Sequence, residues 1–235
     1  MLPKIATPKY DMIVPSTGES ITYRPYLVKE EKILLIAMES QSDEAMENAV
    51  VDIIKLCVET PINVNTLTTF DIEYIFINLR AKSVGEGIKL NPTCEHCEEV
   101  NEDIKVDLDK VIVSGIEEEI DMRVKLTDDI SVDVTWPTMK NKLTEDDMKT
   151  GTDTLINMVA RSIGTIYSGE EIFAAADSTK KELVEFVESL GSDQFNALLT
   201  KVSEAPQLIY DLEFKCKACG EDNKLEIKGL ADFFQ

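Results

Sequence analysis

Two Cys-x-x-Cys pairs, Cys94/Cys97 and Cys216/Cys219, stand 118 residues apart in a chain that has one further cysteine. Thiols at that spacing converge on a single ion from the tip of a short hairpin, so the pairs predict that the middle and the end of the chain meet at one place. The flanking residues agree. Ile88 and Leu90 precede Cys94 by six and four residues, as Tyr210 and Leu212 precede Cys216. Ile104 and Val106 follow Cys97 by seven and nine residues, while Leu225 and Ile227 follow Cys219 by six and eight. This internal echo predicts two hairpins, each tipped by a cysteine knuckle, facing each other as a split zinc ribbon over residues 85–110 and 208–230.

Four thiolates suit Zn²⁺, which favours a closed tetrahedron with metal–sulfur distances of about 2.3 Å and no open position for water. The expected cofactor is therefore one structural zinc ion on Cys94, Cys97, Cys216 and Cys219. Iron satisfies the same four sulfurs, and reduced surface thiols or a redox pair are the alternatives to a metal. His96, the only histidine, lies between two ligands; with four cysteines completing the shell, it reads as a solvent-facing knuckle residue. Cys57 falls on the apolar stripe of a predicted helix and reads as a small hydrophobe.

Charge narrows the choice of partner. The chain has 235 residues with 24 Lys and Arg against 45 Asp and Glu, a net charge of −21. Such a balance works against adhesion to nucleic acid or anionic lipid, which relies on cations to release counterions. Lys215, Lys217, Lys224 and Lys228 give the second knuckle a basic edge, but Asp211, Glu213, Glu221, Asp222 and Glu226 interleave with them. A zinc-ribbon regulator contacting nucleic acid or polymerase is thus the alternative reading rather than the first. With 43% hydrophobic residues the chain is too apolar for a disordered acidic tail. MLPKIATPKYDM contains no apolar signal core and no window suits a membrane span, so the sequence predicts a soluble intracellular product. Catalytic motifs are missing: Gly85-Glu86-Gly87 is too short for a dinucleotide loop, and acid–base work would fall to surface carboxylates or lysines. No catalytic residue is expected.

Local patterns complete an α+β expectation. Pro3, Pro8, Pro15 and Gly18 predict an extended arm or short strand closed by a turn, followed by a short strand over Ile21–Arg24. VKEEKILLIAMES reads as a helix with a mostly buried run from Ile33 to Met38. A second helix starts at Ser42, with Met46, Val50, Ile53 and Cys57 on one face. A third runs from Thr68 or Thr69 with Phe70, Tyr74 and Ile77 on one stripe, ending near Gly85. Residues 1–84 are thus an arm and helical region. Residues 111–207 form an insertion. There, alternation at Ile120, Met122, Val124, Leu126 and at Ile130, Val132, Val134, Trp136 predicts a β-hairpin turning near 127–129. Helical periods follow at Ile156/Val159/Ile163, Leu183/Phe186/Leu190 and Phe195/Leu198/Val202. Thr144 with Asp147, and Ser168 with Glu171, read as capping boxes with no further role.

Two stretches, Tyr23–Ser40 (YRPYLVKEEKILLIAMES) and Phe70–Gly85 (FDIEYIFINLRAKSVG), resemble the T4-like bacteriophage baseplate hub subunit or hub assembly protein family. The likeness is strongest over roughly residues 12–110, where arm, helices and strand follow the family's order. The resemblance implies a myovirus tail protein without enzyme activity, made in the host cytoplasm, that assembles or chaperones the hub or persists in the virion baseplate. Its implied partners are hub or tail proteins. The charged residues of the two motifs, Arg24, Lys29, Glu30, Glu31, Lys32, Asp71, Glu73, Arg80 and Lys82, are the candidate contact residues.

Overall fold

The computed structural model describes residues 6–116 and 121–234, and the chain divides into two compact units, Met1–Ser114 with Gln207–Gln235, and Gly115–Pro206. The first unit begins with strands β1 (Tyr10–Ile13) and β2 (Ser20–Tyr23), an antiparallel hairpin that places Tyr10 opposite Tyr23. The expected arm is therefore pinned from Tyr10 onward: Val14, Ile21 and Tyr23 are buried, and Ser16 donates its N–H and its hydroxyl to the Asp71 carboxylate at 2.9 and 2.5 Å. Pro3 lies outside the described residues.

Helices α1 (Val28–Ser40), α2 (Asp43–Cys57) and α3 (Thr69–Val84) follow. Ser42 caps α2, accepting the Ala45 N–H at 3.2 Å, and Val50, Ile53 and Cys57 are buried on one face. Thr68 and Asp71 form the capping box of α3, and Gly85 ends that helix at φ 132°. The single stripe expected of α3 understates its burial. Phe70, Ile72, Ile75, Phe76, Ile77, Leu79 and Ala81 are all buried, the pattern of a helix packed on most sides, where each large apolar side chain contributes about 1.5–3 kcal/mol. The opposite holds for α1. Of the run expected to be mostly buried, Ala37 alone is fully enclosed, while Leu35, Ile36 and Met38 are more than half exposed.

Strands β3 (Gly87–Leu90) and β4 (Ile104–Asp107) pair antiparallel, and the short β5 (Ile112–Val113) leads out of the unit. The second unit carries β6 (Arg123–Lys125), β7 (Ile130–Val134), α4 (Gly151–Arg161), β8 (Ile163–Ser168), β9 (Glu171–Ala174), α5 (Lys180–Glu188) and α6 (Ser192–Ser203). Its sheet has the order β6-β7-β8-β9, all antiparallel, and its core unites Val132, Val134, Val159, Ile163, Val187, Leu198 and Val202. The expected hairpin is the first half of this sheet; Ile120 lies outside the described residues. The second half overturns a capping assignment, because Ser168 and Glu171 are cross-strand partners flanking a two-residue turn. Gly169 at φ 59° supplies the left-handed backbone that such a turn requires.

The chain re-enters the first unit through β10 (Leu208–Lys215), which pairs with β5 on one edge and with β11 (Asp222–Lys228) on the other. The exit and return points touch: Ser114 donates its N–H to the Gln207 carbonyl at 2.8 Å. Ile77 and Ala81 of α3 share one core with Leu90, Val106, Leu208, Leu212, Phe214 and Ile227 of the hairpins. No helix among the described residues is long and apolar enough to cross a membrane.

Candidate metal centre and contact surface

The two hairpins carry the cysteine knuckles at their tips, in the register the sequence echo predicts: Ile88 opposes Val106 and Leu90 opposes Ile104, as Tyr210 opposes Ile227 and Leu212 opposes Leu225. The tips repeat each other bond for bond. Cys94 N–H donates to the Glu99 carbonyl and Cys216 N–H to that of Glu221, both at 2.9 Å; Glu98 N–H and Gly220 N–H return to the carbonyls of Cys94 and Cys216, both at 3.0 Å. The residue after each second cysteine is left-handed, Glu98 at φ 59° and Gly220 at φ 78°. The additional residue of the first hairpin is absorbed near Asp103, itself at φ 62°, whose N–H is held by Asn91 at 3.0 Å.

All four Sγ atoms lie within 4.8 Å of one another, with Cys94–Cys219 and Cys97–Cys216 at 3.7 Å. That separation is far longer than a disulfide and matches the edge of roughly 3.8 Å that four sulfurs about 2.3 Å from a central zinc ion define. The donor set and its spacing fit a tetrahedral ion held by Cys94, Cys97, Cys216 and Cys219. His96 is exposed at the rim, its Nε2 lying 3.3 Å from the Asp222 carbonyl.

Two residues the sequence reading passed over fasten the knuckles together. Asn101 and Asn223, each four residues after the second cysteine of its pair, are buried. Asn101 Oδ1 accepts the Lys217 N–H at 2.8 Å, and Asn223 Oδ1 accepts the Glu95 N–H at 2.9 Å. Each asparagine thus holds the residue that follows the first cysteine of the opposite knuckle. Their Nδ2 groups donate to the Glu99 and Glu221 carbonyls at 3.1 and 3.0 Å, and Asn101 also reaches Cys216 Sγ at 3.6 Å. The same +4 offset in both halves of the echo was the available signal.

Electrostatics divide the sulfurs into two kinds. The amide of Cys219, opposed by burial and aided by the amide of Ala218 and by Asn101, lowers the Cys216 thiol to about 6. Burial raises Cys94, yet the amides of His96 and Cys97 outweigh it and leave that thiol below its usual value. The amide of Glu99 favours the Cys97 thiolate, but the neighbouring sulfurs of Cys219, Cys216 and Cys94 push Cys97 up to about 12. Cys219 is raised despite the amide of Glu221 and the Cys97 sulfur, because burial and the sulfurs of Cys216 and Cys94 prevail. Four thiolates this close repel, so a bound cation is what would let all four ionise together. Cys57 is not part of this cluster: fully buried at the end of α2, its thiol is pushed to about 11 by desolvation.

The charged candidates of the two motifs separate by burial. Glu30 is enclosed, accepting the Leu27 N–H at 2.9 Å and pairing with Arg24 at 2.9 Å and Lys29 at 3.1 Å. Burial raises its carboxyl, but the bonds from Arg24 and the Leu27 amide hold it below the usual range. Asp71 is fully buried between Ser16 and Thr68. Glu73 is half-buried beside Gly229, and burial raises its carboxyl against the Leu230 N–H. Arg80 is half-buried, its Nη1 sealed from solvent without a hydrogen-bond partner. Lys82 bridges Glu86 at 2.6 Å and Asp109 at 3.3 Å. Lys29 and Lys32 are exposed and Glu31 is half-exposed. On the same helix Val28, Leu35, Ile36 and Met38 stand in solvent at 50–80% exposure.

A family model described as T4 bacteriophage base plate protein matches residues 7–235 of the chain. No curated protein and no solved structure matches it.

Proposed function

From the premise that the chain belongs to the T4 bacteriophage base plate protein family, we propose that it is a non-enzymatic tail protein that assembles or forms part of the baseplate hub through protein–protein contacts. Its working place on this reading is the virion baseplate, reached after assembly in the host cytoplasm. The observation that carries the contact role is α1. This helix lies in one of the two motifs that resemble the hub family, its buried Glu30 anchors it to the body, and its outer side presents Val28, Leu35, Ile36 and Met38 with Lys29 and Lys32. Exposed apolar side chains interleaved with charge suit a docking helix, with the apolar groups supplying affinity and the charges orientation. Hub or tail proteins are its partners here.

The four cysteines fit a structural rather than a catalytic ion. Four thiolates leave no position for substrate or water, and zinc is the ion proposed, with iron the other occupant of an all-sulfur site. The test of the contact role substitutes Leu35→Asp with Ile36→Asp on the solvent side of α1. Hub co-assembly from infected cells should fall at least tenfold while the melting temperature of the purified protein stays within a few degrees. Co-assembly at the wild-type level with both substitutions present would remove α1 as the docking helix.

A further inference from the structure

The second unit holds a cavity of about 360 Å³ between the end of α4 and the start of α5. In a chain with 45 acidic and 24 basic side chains, the wall of this cavity carries Lys140, Arg161 and Lys180 and, among the described residues, no acid. Asp147 stands behind the wall rather than in it. Fully buried, it receives Arg161 Nη2 at 2.7 Å on one oxygen and Lys180 on the other. One negative charge therefore fixes two cationic heads in place, and with Lys140 counted the site keeps an excess of two positive charges. The heads stay accessible, with 21% of the Arg161 side chain and 49% of that of Lys180 exposed. Lys140 is exposed and has neither ion pair nor hydrogen bond among the described residues.

The rest of the wall is largely apolar, formed by Ile163, Ala175 and Leu183 among others. A bare ion would leave most of such a volume to water, whose share of liquid volume is about 30 Å³ per molecule. Cations positioned over an apolar floor suit an anion that brings its own hydrocarbon, and a guanidinium beside an ammonium suits the two oxygens of a carboxylate. We propose that this cavity is a receptor for a carboxylate on a short apolar stem, with Lys140 supplying the uncommitted charge and Arg161 and Lys180 the pre-positioned one. The carboxylate is either a free small acid or a glutamate side chain of a docked protein. The site is independent of the cysteine centre and of the contact face on α1.

The test titrates the isotope-labelled full chain with butyrate and with inorganic phosphate, following backbone amides. Butyrate should shift Ile163, Gly164, Ala175 and Ala176 saturably, and more tightly than phosphate does. Lys140→Ala, which removes an exposed side chain without a partner, should weaken butyrate binding by about tenfold, the loss expected for one hydrogen bond to a charged group. No saturable shift at these amides, equal or tighter binding of phosphate, or unchanged affinity in Lys140→Ala would each overturn the proposal. Excess butyrate added to the chain with its captured baseplate partners separates the two sources. Release of a partner assigns the carboxylate to that protein, and binding without release assigns a free acid.

Discussion

At the scale of single residues, the four sulfurs are held by neighbours whose own geometry is demanding. Asn101 spends its amide on three groups, the Lys217 N–H, the Glu99 carbonyl and Cys216 Sγ. Asn101→Ala leaves the partly buried Lys217 N–H without its acceptor and should cost about 1 kcal/mol. The loss of a group that orients a ligand should also weaken zinc binding by roughly 10- to 100-fold in a chelator-competition titration. Backbone handedness gives a second prediction. Gly220 sits at φ 78° with open space around it, so the penalty of a side chain there is conformational alone, and Gly220→Ala should lower stability by about 1 kcal/mol. Glu98 already bears that penalty at φ 59°, and Glu98→Gly should be neutral or slightly stabilising by the same denaturation measurement. Glu30 behaves differently again. Removing its charge by Glu30→Gln strands Arg24, whose guanidinium is half-buried against the Leu56 carbonyl, and a loss of about 3 kcal/mol is expected in urea unfolding.

At the scale of elements, the second unit turns on a four-residue 3-10 turn, Glu145–Met148. The Thr144–Asp147 pair reads in sequence as a capping box and nothing more, and the box is present. Asp147 also ties this turn to α4 through Arg161 and to α5 through Lys180, a role that no local pattern encodes because its partners lie 14 and 33 residues away. Burial raises the Asp147 carboxyl, but Lys180, Thr144 and Arg161 hold it well below the usual range. A carboxyl depressed in the folded state stabilises above its unfolded pKa of about 3.9, and that stability is lost as the pH falls below it. Urea unfolding followed by Trp136, the only tryptophan, should therefore show a midpoint that drops between pH 5 and pH 3, and the drop should be shallower in Asp147→Asn. Legibility follows the same division. The knuckle hairpins, α2, α3 and the hairpin of β6 and β7 were readable because strict spacing, caps and alternation are local. The pair β8–β9 is not legible locally, because Ser168 and Glu171 match a helix cap as well as they match a two-residue turn, and Gly169 decides between them only once its φ is positive. The run on α1 departs from expectation because apolar composition favours burial without fixing which residues the fold itself encloses, and Leu35, Ile36 and Met38 stay exposed.

At the scale of the whole molecule, one unit is interrupted by another, and the interruption is closed at its base. Ser114 and Gln207 exchange hydrogen bonds through backbone and hydroxyl, and β5 continues that contact into β10, so the ends of the insertion start and finish side by side, the arrangement in which insertions are tolerated. The two cysteine pairs belong to the interrupted unit alone, and a four-thiolate ion held there would close the loop that contains the whole second unit. Structural zinc sites couple on the order of 10 kcal/mol or more to folding, comparable to the entire stability of a domain. Stripping zinc from the loaded chain with a chelator should therefore unfold the first unit while the Trp136 transition of the second unit keeps its midpoint. A chain in which residues 115–206 are replaced by a short Gly-Ser bridge between Ser114 and Gln207 completes the argument from the other side. It should fold, bind one zinc ion with unchanged stoichiometry, and unfold cooperatively on chelation, because every cysteine ligand and both asparagines remain. If the bridged chain is unfolded with zinc present, or the Trp136 transition of the full chain moves together with metal loss, the two units are one cooperative body and the staple acts on both.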